Sequence, residues 1–239
     1  MPNELLYEGK AKKIFSTDKA GIIRVEYKDS ATAFNGVKKD NIEGKGRLNN
    51  LFTSFFFGLL SEKGIENHFE GSLSENEHLA QKVSIIPLEV IVRNKAAGTL
   101  AKRIGKEEGF QMPFPLIELC YKNDELGDPM FNDDHVLALG IASEAELILI
   151  RKIALQVNSV LMAFFSEQGL DLIDFKLEFG KTTEGKIIVA DEISPDTCRI
   201  WDAATGRKLD KDVFRRDLAP LADTYRDLAI RIGILRQSN

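Results

Sequence analysis

The sequence predicts an α+β fold, with a small antiparallel sheet at the N-terminal end and a larger α+β unit after it. Three observations support this prediction: short apolar runs between charged turns in residues 5–28, apolar residues at helical spacing in residues 48–60, and apolar–polar alternation in residues 171–179. A chain of 239 residues corresponds to one large domain or two small ones. We expect two, an N-terminal sheet lobe at 1–83 and a larger lobe at 84–239.

The N-terminal elements are predicted from local spacing. Residues 5–28 are expected to form three short strands joined as hairpins, and residues 30–46, rich in glycine and asparagine, are expected to form a loop. Beyond this loop, apolar residues recur every three or four positions from Leu48 to Leu60. This spacing predicts an amphipathic helix, which Gly64 would end.

The middle of the chain is predicted to contain one strand and one short helix. Residues 83–93 are rich in β-branched residues, and Pro87 suggests that this strand lies at a sheet edge or carries a β-bulge. Residues 94–109 would form a loop that leads into a short helix. Residues 112–135 contain prolines and acidic residues without clear periodicity, so we expect mostly loop there.

Two further helices are predicted in the C-terminal part. Ser143 and Glu146 have the spacing of a capping box, which predicts a helix that begins there and continues through Phe165. Residues 212–232 are expected to form the final helix, with a kink at Pro220 because proline disrupts the helical hydrogen bonds.

Carboxylates are concentrated in a strand hairpin predicted between these helices. Asp174, Lys176 and Glu178 share one face of its first strand. A two-residue turn would place Glu178 opposite Asp191, whereas a register shifted by one residue would bring Glu192 there instead. Opposed carboxylates repel each other unless a cation lies between them. The pair is consistent with Mg²⁺ held together with nucleotide phosphates, and the alternative is a solvated polar sheet face.

Three other segments contain residue types that bind phosphate. Residues 9–12 form a predicted glycine turn whose N–H groups and lysines could approach a phosphate, although an exposed basic turn would have the same sequence. Residues 93–99 place two basic groups, a glycine and a hydroxyl before a helix, which suits a phosphate monoester. Residues 196–199 supply an acid and an arginine, or form an ordinary turn.

Composition and charge argue against several classes of protein. The net charge is −5, and basic residues do not alternate with aromatic ones, so we expect no nucleic-acid binding. Two cysteines without CxxC spacing and three scattered histidines predict neither a disulfide framework nor a zinc site. The N-terminus lacks the pattern of a secretory signal, and the longest apolar run, residues 55–60, is too short to span a bilayer. We therefore expect a cytoplasmic protein without a membrane contact.

Four motifs, in this order, resemble the SAICAR synthetase family of purine biosynthesis: YEGKAKKIF, VRNKAAGTLAKRIG, DFKLEFG and DEISPDTCRIWD. The resemblance covers essentially the whole chain. It implies an ATP- and Mg²⁺-dependent ligase that joins carboxyaminoimidazole ribonucleotide (CAIR) to L-aspartate, giving the succinocarboxamide SAICAR, ADP and phosphate. It also implies a homodimer whose fold is similar to ATP-grasp enzymes and kinases, with ATP in the cleft between a small sheet lobe and a larger lobe.

The resemblance also implies roles for individual residues. The residues that would contact the ATP phosphates are Gly9, Lys10, Ala11 and Lys12. The backbone near Ile85 would hold the adenine, and Lys122 would also belong to the ATP site. Glu178 and Asp191 would hold Mg²⁺. The ribonucleotide would be held at its phosphate and carboxylate by Arg93, Thr99, Arg199 and Arg215, and at its ribose by Asp196. Lys10 and Lys12 would offset the negative charge that develops on the transferred phosphoryl group. Lys176 would lie near the reacting carboxylate. The aspartate amine would lose its proton to Asp174 or Lys176.

The ligase reading has two alternatives. A kinase of a small phosphorylated metabolite would use the same ATP site without aspartate. A nucleotide-sensing module would bind ATP without turnover. The sequence contains no arrangement of a nucleophilic serine or cysteine with histidine, and this fits the ligase, in which ATP would convert the carboxylate into an acyl phosphate that the aspartate amine then attacks.

Overall fold

The computed structural model describes residues 4–33 and 36–236. Its strands are β1 (Leu5–Glu8), β2 (Lys12–Ser16), β3 (Ile22–Tyr27), β4 (Ser30–Ala33), β5 (Lys38–Asn41), β6 (Phe69–Ser74), β7 (Glu77–Gln81), β8 (Ser84–Lys95), β9 (Gln111–Tyr121), β10 (Met130–Phe131), β11 (Leu170–Lys181), β12 (Ile187–Ala190) and β13 (Cys198–Asp202). Its α-helices are α1 (Lys45–Glu62), α2 (Gly98–Ile104), α3 (Asp133–Ala138), α4 (Glu144–Glu167), α5 (Asp212–Arg215) and α6 (Leu221–Arg231), and a short 3-10 helix lies at Asp124–Leu126.

The N-terminal strands form an antiparallel sheet in the order β1-β2-β3-β7-β6. The three predicted strands are confirmed. The loop predicted at 30–46 is wrong in part, because β4 and β5 pair as a separate two-stranded sheet. Ala31 and Ala33 alternate with more exposed residues and are buried, but alanine contributes little to a β-strand pattern in sequence. Phe34 and Asn35, within the predicted loop, lie outside the described residues.

The larger sheet has the order β10-β9-β8-β11-β12, and β13 also pairs with β11. β8 pairs with β9 on one side and with β11 on the other, so Pro87 does not lie at a sheet edge. The pairing with β11 moves from Val90 opposite Leu177 to Ile86 opposite Phe179, which leaves Pro87 in a bulge of β8. The bulge prediction is therefore confirmed and the edge prediction is wrong.

The loop predicted over residues 112–135 is also partly wrong, because β9 occupies residues 111–121. Its pairing with β8 shifts between Leu116 and Gln111, so Pro113 and Pro115 lie in an irregular stretch between the two paired positions. A proline there does not interrupt the regular ladder of hydrogen bonds. The remainder of the segment contains the 3-10 helix, β10 and the start of α3.

The β11–β12 hairpin differs by one residue from the predicted register. Lys181 pairs with Ile187 and Glu178 pairs with Ala190, so Glu178 is opposite neither Asp191 nor Glu192. Beyond the Lys181–Ile187 pair the Thr182 amide donates to the Lys186 carbonyl, so residues 183–185 form a three-residue turn in place of the predicted two-residue turn, and Gly185 adopts a left-handed conformation with φ 82°.

Three predicted helices are confirmed and one is not. The short helix expected within residues 94–109 is α2. α1 ends before Gly64, and α4 begins with the predicted capping box, in which the Ser143 side chain accepts a hydrogen bond from the Glu146 amide. The single kinked helix expected at 212–232 is instead two helices, α5 and α6, with Pro220 at the N-cap of α6. Proline cannot donate the hydrogen bond that a continuous helix needs at that position.

Helix α1 belongs by sequence to residues 1–83 and contacts β3, β6 and β7 of the first sheet, but it also packs against helices α4 and α6 of the later part of the chain. Phe52 and Phe56 are fully buried. Phe56 lies 5.3 Å, centroid to centroid, from Phe165 of α4, and Phe52 lies 6.4 Å from Tyr225 of α6. The first sheet ends at Gln81 and the larger sheet begins at Ser84, yet one apolar core includes residues from both sides of this point. The domain boundary between residues 83 and 84 remains a prediction.

Helix α4 is the one helix of the described segments that is long and apolar enough to cross a membrane by length and composition alone. Core helices of soluble proteins meet the same criterion, so this is weak evidence. One stripe of α4, which includes Leu147, Ile150 and Leu161, is buried in the core. Both cysteines, Cys120 and Cys198, are free and buried.

Candidate active site

A cavity of about 420 Å³ lies between the β1–β2 turn, the β4–β5 sheet and the polar face of β8 and β11. Many of the residues predicted from the motifs line it together: Lys10, Ala11, Arg93, Thr99, Asp174, Lys176, Asp196, Arg199 and Arg215. Its other lining residues include Ser30, Thr32, Glu89, Glu192 and Lys211. The fold therefore collects polar residues from four separate sequence motifs around one space.

Three carboxylates and two lysines form a cluster at the end of β12. The ammonium nitrogen of Lys176 lies 2.7 Å from Glu178 Oε1 and 3.8 Å from Asp191 Oδ2. Lys12 contacts Asp191 directly, and its Nζ lies 3.1 Å from Glu192 Oε1. Glu178 and Asp191 thus share a cation, which here is the lysine ammonium, even though they are not opposite each other in the hairpin.

The charges in this cluster stabilise one another. Burial alone would raise the pKa of Asp191, but the ammonium groups of Lys12 and Lys176 outweigh burial and hold that pKa below its usual range. Burial would likewise lower the pKa of Lys12, yet the carboxylates of Asp191 and Glu192 raise it well above its ordinary value. Burial would also lower the pKa of Lys176, but Glu178 and Asp191 raise it, so Asp191, Lys12 and Lys176 are charged at neutral pH.

The donor set of this cluster fits a hard divalent cation. Carboxylate oxygens are the ligands that Mg²⁺ prefers, and Mg²⁺ commonly binds through one or two carboxylates together with phosphates. Within residues 4–33 and 36–236, no three His, Cys, Asp or Glu side chains are arranged to hold a metal ion by themselves. Glu178 and Asp191 could therefore hold Mg²⁺ only if other ligands, such as phosphate oxygens, completed its coordination.

A second cluster, of arginines and aspartates, lies on the other side of the cavity. Asp174 Oδ2 accepts hydrogen bonds from Arg93 at 2.9 Å and from Arg199 at 2.8 Å. Asp212 accepts from Arg199 Nε at 3.1 Å and from Arg215 at 2.6 Å. Burial would lower the pKa of Arg199, but Asp174 and Asp212 outweigh it and raise that pKa. Three guanidinium groups are thus fixed beside the cavity, an arrangement suited to phosphate or carboxylate.

Gly98, at the start of α2, leaves room for one of these arginines. Its φ of 53° lies in the left-handed region, and a Cβ atom at this position would be 2.9 Å from a terminal nitrogen of Arg199. Its amide donates a hydrogen bond to Glu108. Glycine is therefore required here both by the backbone conformation and by the close approach of Arg199.

Asp196 is held by partners that the sequence did not single out. Its Oδ2 lies 2.7 Å from Lys45 Nζ and 3.1 Å from Lys211 Nζ, and its Oδ1 accepts a 2.6 Å hydrogen bond from the Tyr225 hydroxyl. The side chain of Lys45 is fully buried. In the sequence, Lys45 and Lys211 look like exposed lysines in charged turns, and no local pattern distinguishes them.

The predicted residues that do not line the cavity are Gly9, Lys12, Ile85, Lys122, Glu178 and Asp191. Gly9 donates its amide to the Lys12 carbonyl, which closes the predicted turn, and Lys10 Nζ lies 2.7 Å from Asp124. Lys122 does not line the cavity but lies 2.5 Å from Glu178. Ile85 also lies outside the lining; it pairs with Gly180 in the sheet and is 41% exposed.

Comparison with known proteins identifies the family. A family model described as SAICAR synthetase matches residues 5–232. The chain belongs to the SAICAR synthetase family. It is 56% identical over 232 residues to the phosphoribosylaminoimidazole-succinocarboxamide synthase of Listeria monocytogenes, a match that covers 97% of this chain and 98% of that protein.

Solved structures of the family have the same fold. The synthase from Ehrlichia chaffeensis superposes with a TM-score of 0.95 at 43% identity, covering 98% of this chain and 100% of that one. A SAICAR synthetase in complex with ADP gives a TM-score of 0.94 at 49% identity and covers 99% of this chain and 100% of that one. The predicted α+β class with antiparallel sheets is therefore confirmed, and the resemblance seen in the four motifs is that of a true family member.

Proposed function

We propose that the protein is an ATP-dependent carbon–nitrogen ligase that joins CAIR and L-aspartate to give SAICAR, ADP and phosphate. The observation that carries the proposal is a single cavity lined by the arginine–aspartate cluster and by Lys176 and Glu192, through which the lysine–carboxylate cluster reaches the same cavity. The lysine–carboxylate cluster suits a metal–nucleotide complex and the arginine–aspartate cluster suits an anionic substrate. Its relatives are named for this synthase activity.

ATP would lie between the β1–β2 turn and the end of β12. A family member has been solved with ADP, which supports nucleotide binding here. Lys10 and Lys12, with the amides of the turn at Gly9 and Ala11, would contact the phosphates, and the adenine would lie toward Ile85. Lys122, beside Glu178, would complete this site. The arrangement of a small sheet above a larger one, with nucleotide between them, would be of the ATP-grasp or kinase type.

Glu178 and Asp191 would hold Mg²⁺ in place of the Lys176 ammonium that lies between them. When bound, the ion would neutralise charge on the phosphates and on the transferred phosphoryl group. Lys12 and Lys10 would add positive charge to the same region. Lys176, released from this pairing, would then lie close to the reacting carboxylate of the ribonucleotide.

The ribonucleotide would occupy the arginine–aspartate side of the cavity. Its phosphate and carboxylate would be bound by Arg93, Arg199, Arg215 and the Thr99 hydroxyl, and its ribose by Asp196. Each guanidinium group has five N–H donors. The carboxylates that orient these arginines use only some of them, so the other N–H donors can contact an anion.

The reaction would proceed through an acyl phosphate. A carboxylate oxygen of CAIR would attack the γ-phosphorus, and ADP would leave with the bonding electron pair. The aspartate amine would then attack the acyl carbon, inorganic phosphate would leave, and the amine would lose a proton. Asp174 is a candidate acceptor for that proton, because it keeps one carboxylate oxygen outside its contacts with Arg93 and Arg199. Burial would lower the pKa of Lys176, but Glu178 and Asp191 raise it well above its usual value, so Lys176 could accept the proton only after losing its own.

We propose a cytoplasmic homodimer that acts on small molecules and binds neither nucleic acid nor a membrane. The overall charge of −5 is unfavourable for nucleic-acid binding. Size-exclusion chromatography with light scattering tests the dimer, for which a mass near twice 26.7 kDa is expected.

Phosphate release with and without aspartate tests the reaction. The ligase requires ATP, CAIR and aspartate together, and phosphate release that is unchanged when aspartate is omitted would instead indicate a kinase or an ATPase. Glu178→Gln should reduce turnover by roughly 100-fold or more, since it removes a proposed metal ligand. Glu184→Gln, in the exposed turn of the same hairpin, is the matched control and should keep full activity.

A further inference from the structure

Lys45, the first residue of α1, has surroundings that oppose a positive charge in two ways. Its side chain is fully buried, and removing an ammonium group from water is costly unless a negative group compensates it. It also lies at the N-terminal end of a helix, where the helix dipole is positive and disfavours a cation. Within the described residues, Asp196 is the one carboxylate that forms an ion pair with it, at 2.7 Å. A lysine at this position is therefore tolerated because of its contact with Asp196.

The N-terminus of α1 is itself held in place. The Asp29 carboxylate accepts hydrogen bonds from the amides of Gly44 at 3.2 Å and Gly46 at 2.9 Å, and so supplies the negative charge that the helix dipole favours. Gly46 also lies so close to the end of β3 that a Cβ atom there would be 2.7 Å from the Tyr27 carbonyl oxygen. These contacts fix the backbone from which Lys45 reaches Asp196.

The other oxygen of Asp196 is held by a residue near the opposite end of the chain. Tyr225, on α6, is fully buried, and its hydroxyl donates a 2.6 Å hydrogen bond to Asp196 Oδ1. Its ring packs edge-on against Phe52 of α1, with centroids 6.4 Å apart, so the packing of α1 against α6 places both Lys45 and Tyr225. Burial and the neighbouring Asp196 carboxylate raise the pKa of Tyr225 well above its usual value, so the hydroxyl keeps its proton and acts as a donor.

The carboxylate of Asp196 has one acceptor position left, because each of its oxygens can accept two hydrogen bonds. The ammonium groups of Lys45 and Lys211 lie against Oδ2, and Tyr225 occupies one position on Oδ1. Among the residues that the structure describes, no further donor contacts Oδ1, and Asp196 lines the cavity. Burial would raise the pKa of this carboxyl group, but Lys211 and Lys45 outweigh burial and hold that pKa well below its usual range. Asp196 therefore offers one anionic acceptor to a molecule in the cavity.

We propose that Lys45 and Tyr225 are positioning residues, which hold the Asp196 carboxylate so that the remaining acceptor position of Oδ1 receives one ribose hydroxyl of the ribonucleotide. This inference rests on the proposed function, in which Asp196 binds that ribose. Neither Lys45 nor Tyr225 lines the cavity, so both would act only through Asp196. Without them the carboxylate could turn, and ordering it when the substrate binds would reduce the affinity.

Calorimetric titration with CAIR tests the proposal without turnover. Tyr225→Phe keeps the aromatic ring and removes the hydroxyl, and it should weaken CAIR binding by about 3- to 10-fold, the cost of ordering one side chain on binding. Lys45→Met should weaken CAIR binding at least as much, because Oδ2 would then keep only one ammonium partner. Tyr27→Phe is the matched control, since it removes the hydroxyl of another buried tyrosine, which bonds Thr53 instead, and it should leave the affinity for CAIR unchanged.

Asp196→Asn separates failure of the positioning role from failure of the proposed function. This variant should weaken CAIR binding by about 10-fold or more, and an unchanged affinity would show that Asp196 does not bind the substrate. If Asp196→Asn weakens binding while Tyr225→Phe binds CAIR as the wild type does, the positioning role is wrong and the site assignment stands. Tyr225→Phe decides this even if Lys45→Met does not fold.

A double-mutant cycle distinguishes positioning from general destabilisation. Because Tyr225 would act only through Asp196, Tyr225→Phe should cause no further loss of CAIR affinity in the Asp196→Asn background. A full additional loss in that background would overturn the proposal. The affinity for ADP should be the same in Tyr225→Phe and the wild type, since the hydroxyl bonds Asp196 and not the lysine–carboxylate cluster, and an equal loss for ADP and CAIR would also contradict the positioning role.

Discussion

Replacing Gly98 with alanine tests the arginine–aspartate side of the cavity. The new Cβ would lie 2.9 Å from a terminal nitrogen and 3.3 Å from Cζ of Arg199. An ordinary contact is about 3.5 Å or longer, so the guanidinium would have to move by about 0.6 Å. It cannot move freely, because it is bonded to Asp174 at 2.8 Å and to Asp212 at 3.1 Å.

The displaced guanidinium should bind the ribonucleotide phosphate less well. A hydrogen bond to a charged group contributes about 1.5–3 kcal/mol, so loss of one such contact should raise the KM for CAIR roughly 10- to 100-fold. The KM for ATP should change less than about 2-fold, because Arg199 lies away from the lysine–carboxylate cluster. Steady-state kinetics with each substrate varied in turn, at saturating levels of the other two, measures both.

Gly105→Ala is the control for backbone strain. Gly105 ends α2 with φ 64°, close to the φ of Gly98, but a Cβ there would contact nothing within 4 Å. Both variants should lose about 1–2 kcal/mol of stability from the left-handed alanine. Only Gly98→Ala should change the KM for CAIR. Equal KM values for CAIR in the two variants would refute the assignment of Arg199 to this substrate.

Three further predictions concern stability and are measured by urea unfolding. Burial lowers the pKa of His78 to about 3 from 6.5, so its contribution is complete above pH 6.5 and declines as the pH falls toward 3. The wild type should lose about 2–3 kcal/mol from this group between pH 6.5 and 4.5, and His78→Gln should show a shallower pH dependence. Phe56→Ala should cost about 3–5 kcal/mol at neutral pH, whereas Phe114→Ala, at a side chain 64% exposed, should cost under about 0.5 kcal/mol. Ser143→Ala should cost about 1 kcal/mol by removing the cap of α4, and an unchanged midpoint would show that the cap is dispensable.

Elements whose determinants are local could be predicted from the sequence. The apolar spacing of α1 and the Ser143–Glu146 capping box of α4 depend on residues three or four positions apart, and both predictions are confirmed. β9 was missed because Pro113 and Pro115 are tolerated in an irregular stretch of its pairing with β8, which is visible only when the partner strand is known.

The candidate site was predicted in its motif residues but not in its supporting contacts. The residues of the four motifs could be recognised as phosphate- or metal-binding types, and the cavity brings many of them together. Lys45 and Tyr225 are different, because their contact with Asp196 depends on the packing of α1 against α6. The relation of Glu178 to Asp191 also could not be obtained from the hairpin register, since Asp191 reaches the cluster through a left-handed turn after the strand.

The position of α1 has a consequence for how this protein could have been assembled in evolution. The helix is encoded among the first 83 residues, yet Phe52, Phe56 and Leu60 belong to one apolar core together with residues of the larger sheet and of α4 and α6. A recombination event that joined residues 84–239 to a different N-terminal segment would leave that core without its aromatic partners. The two sheets are therefore inherited as a single unit, and domain fusions in this family should occur at the chain ends and not between Gln81 and Ser84.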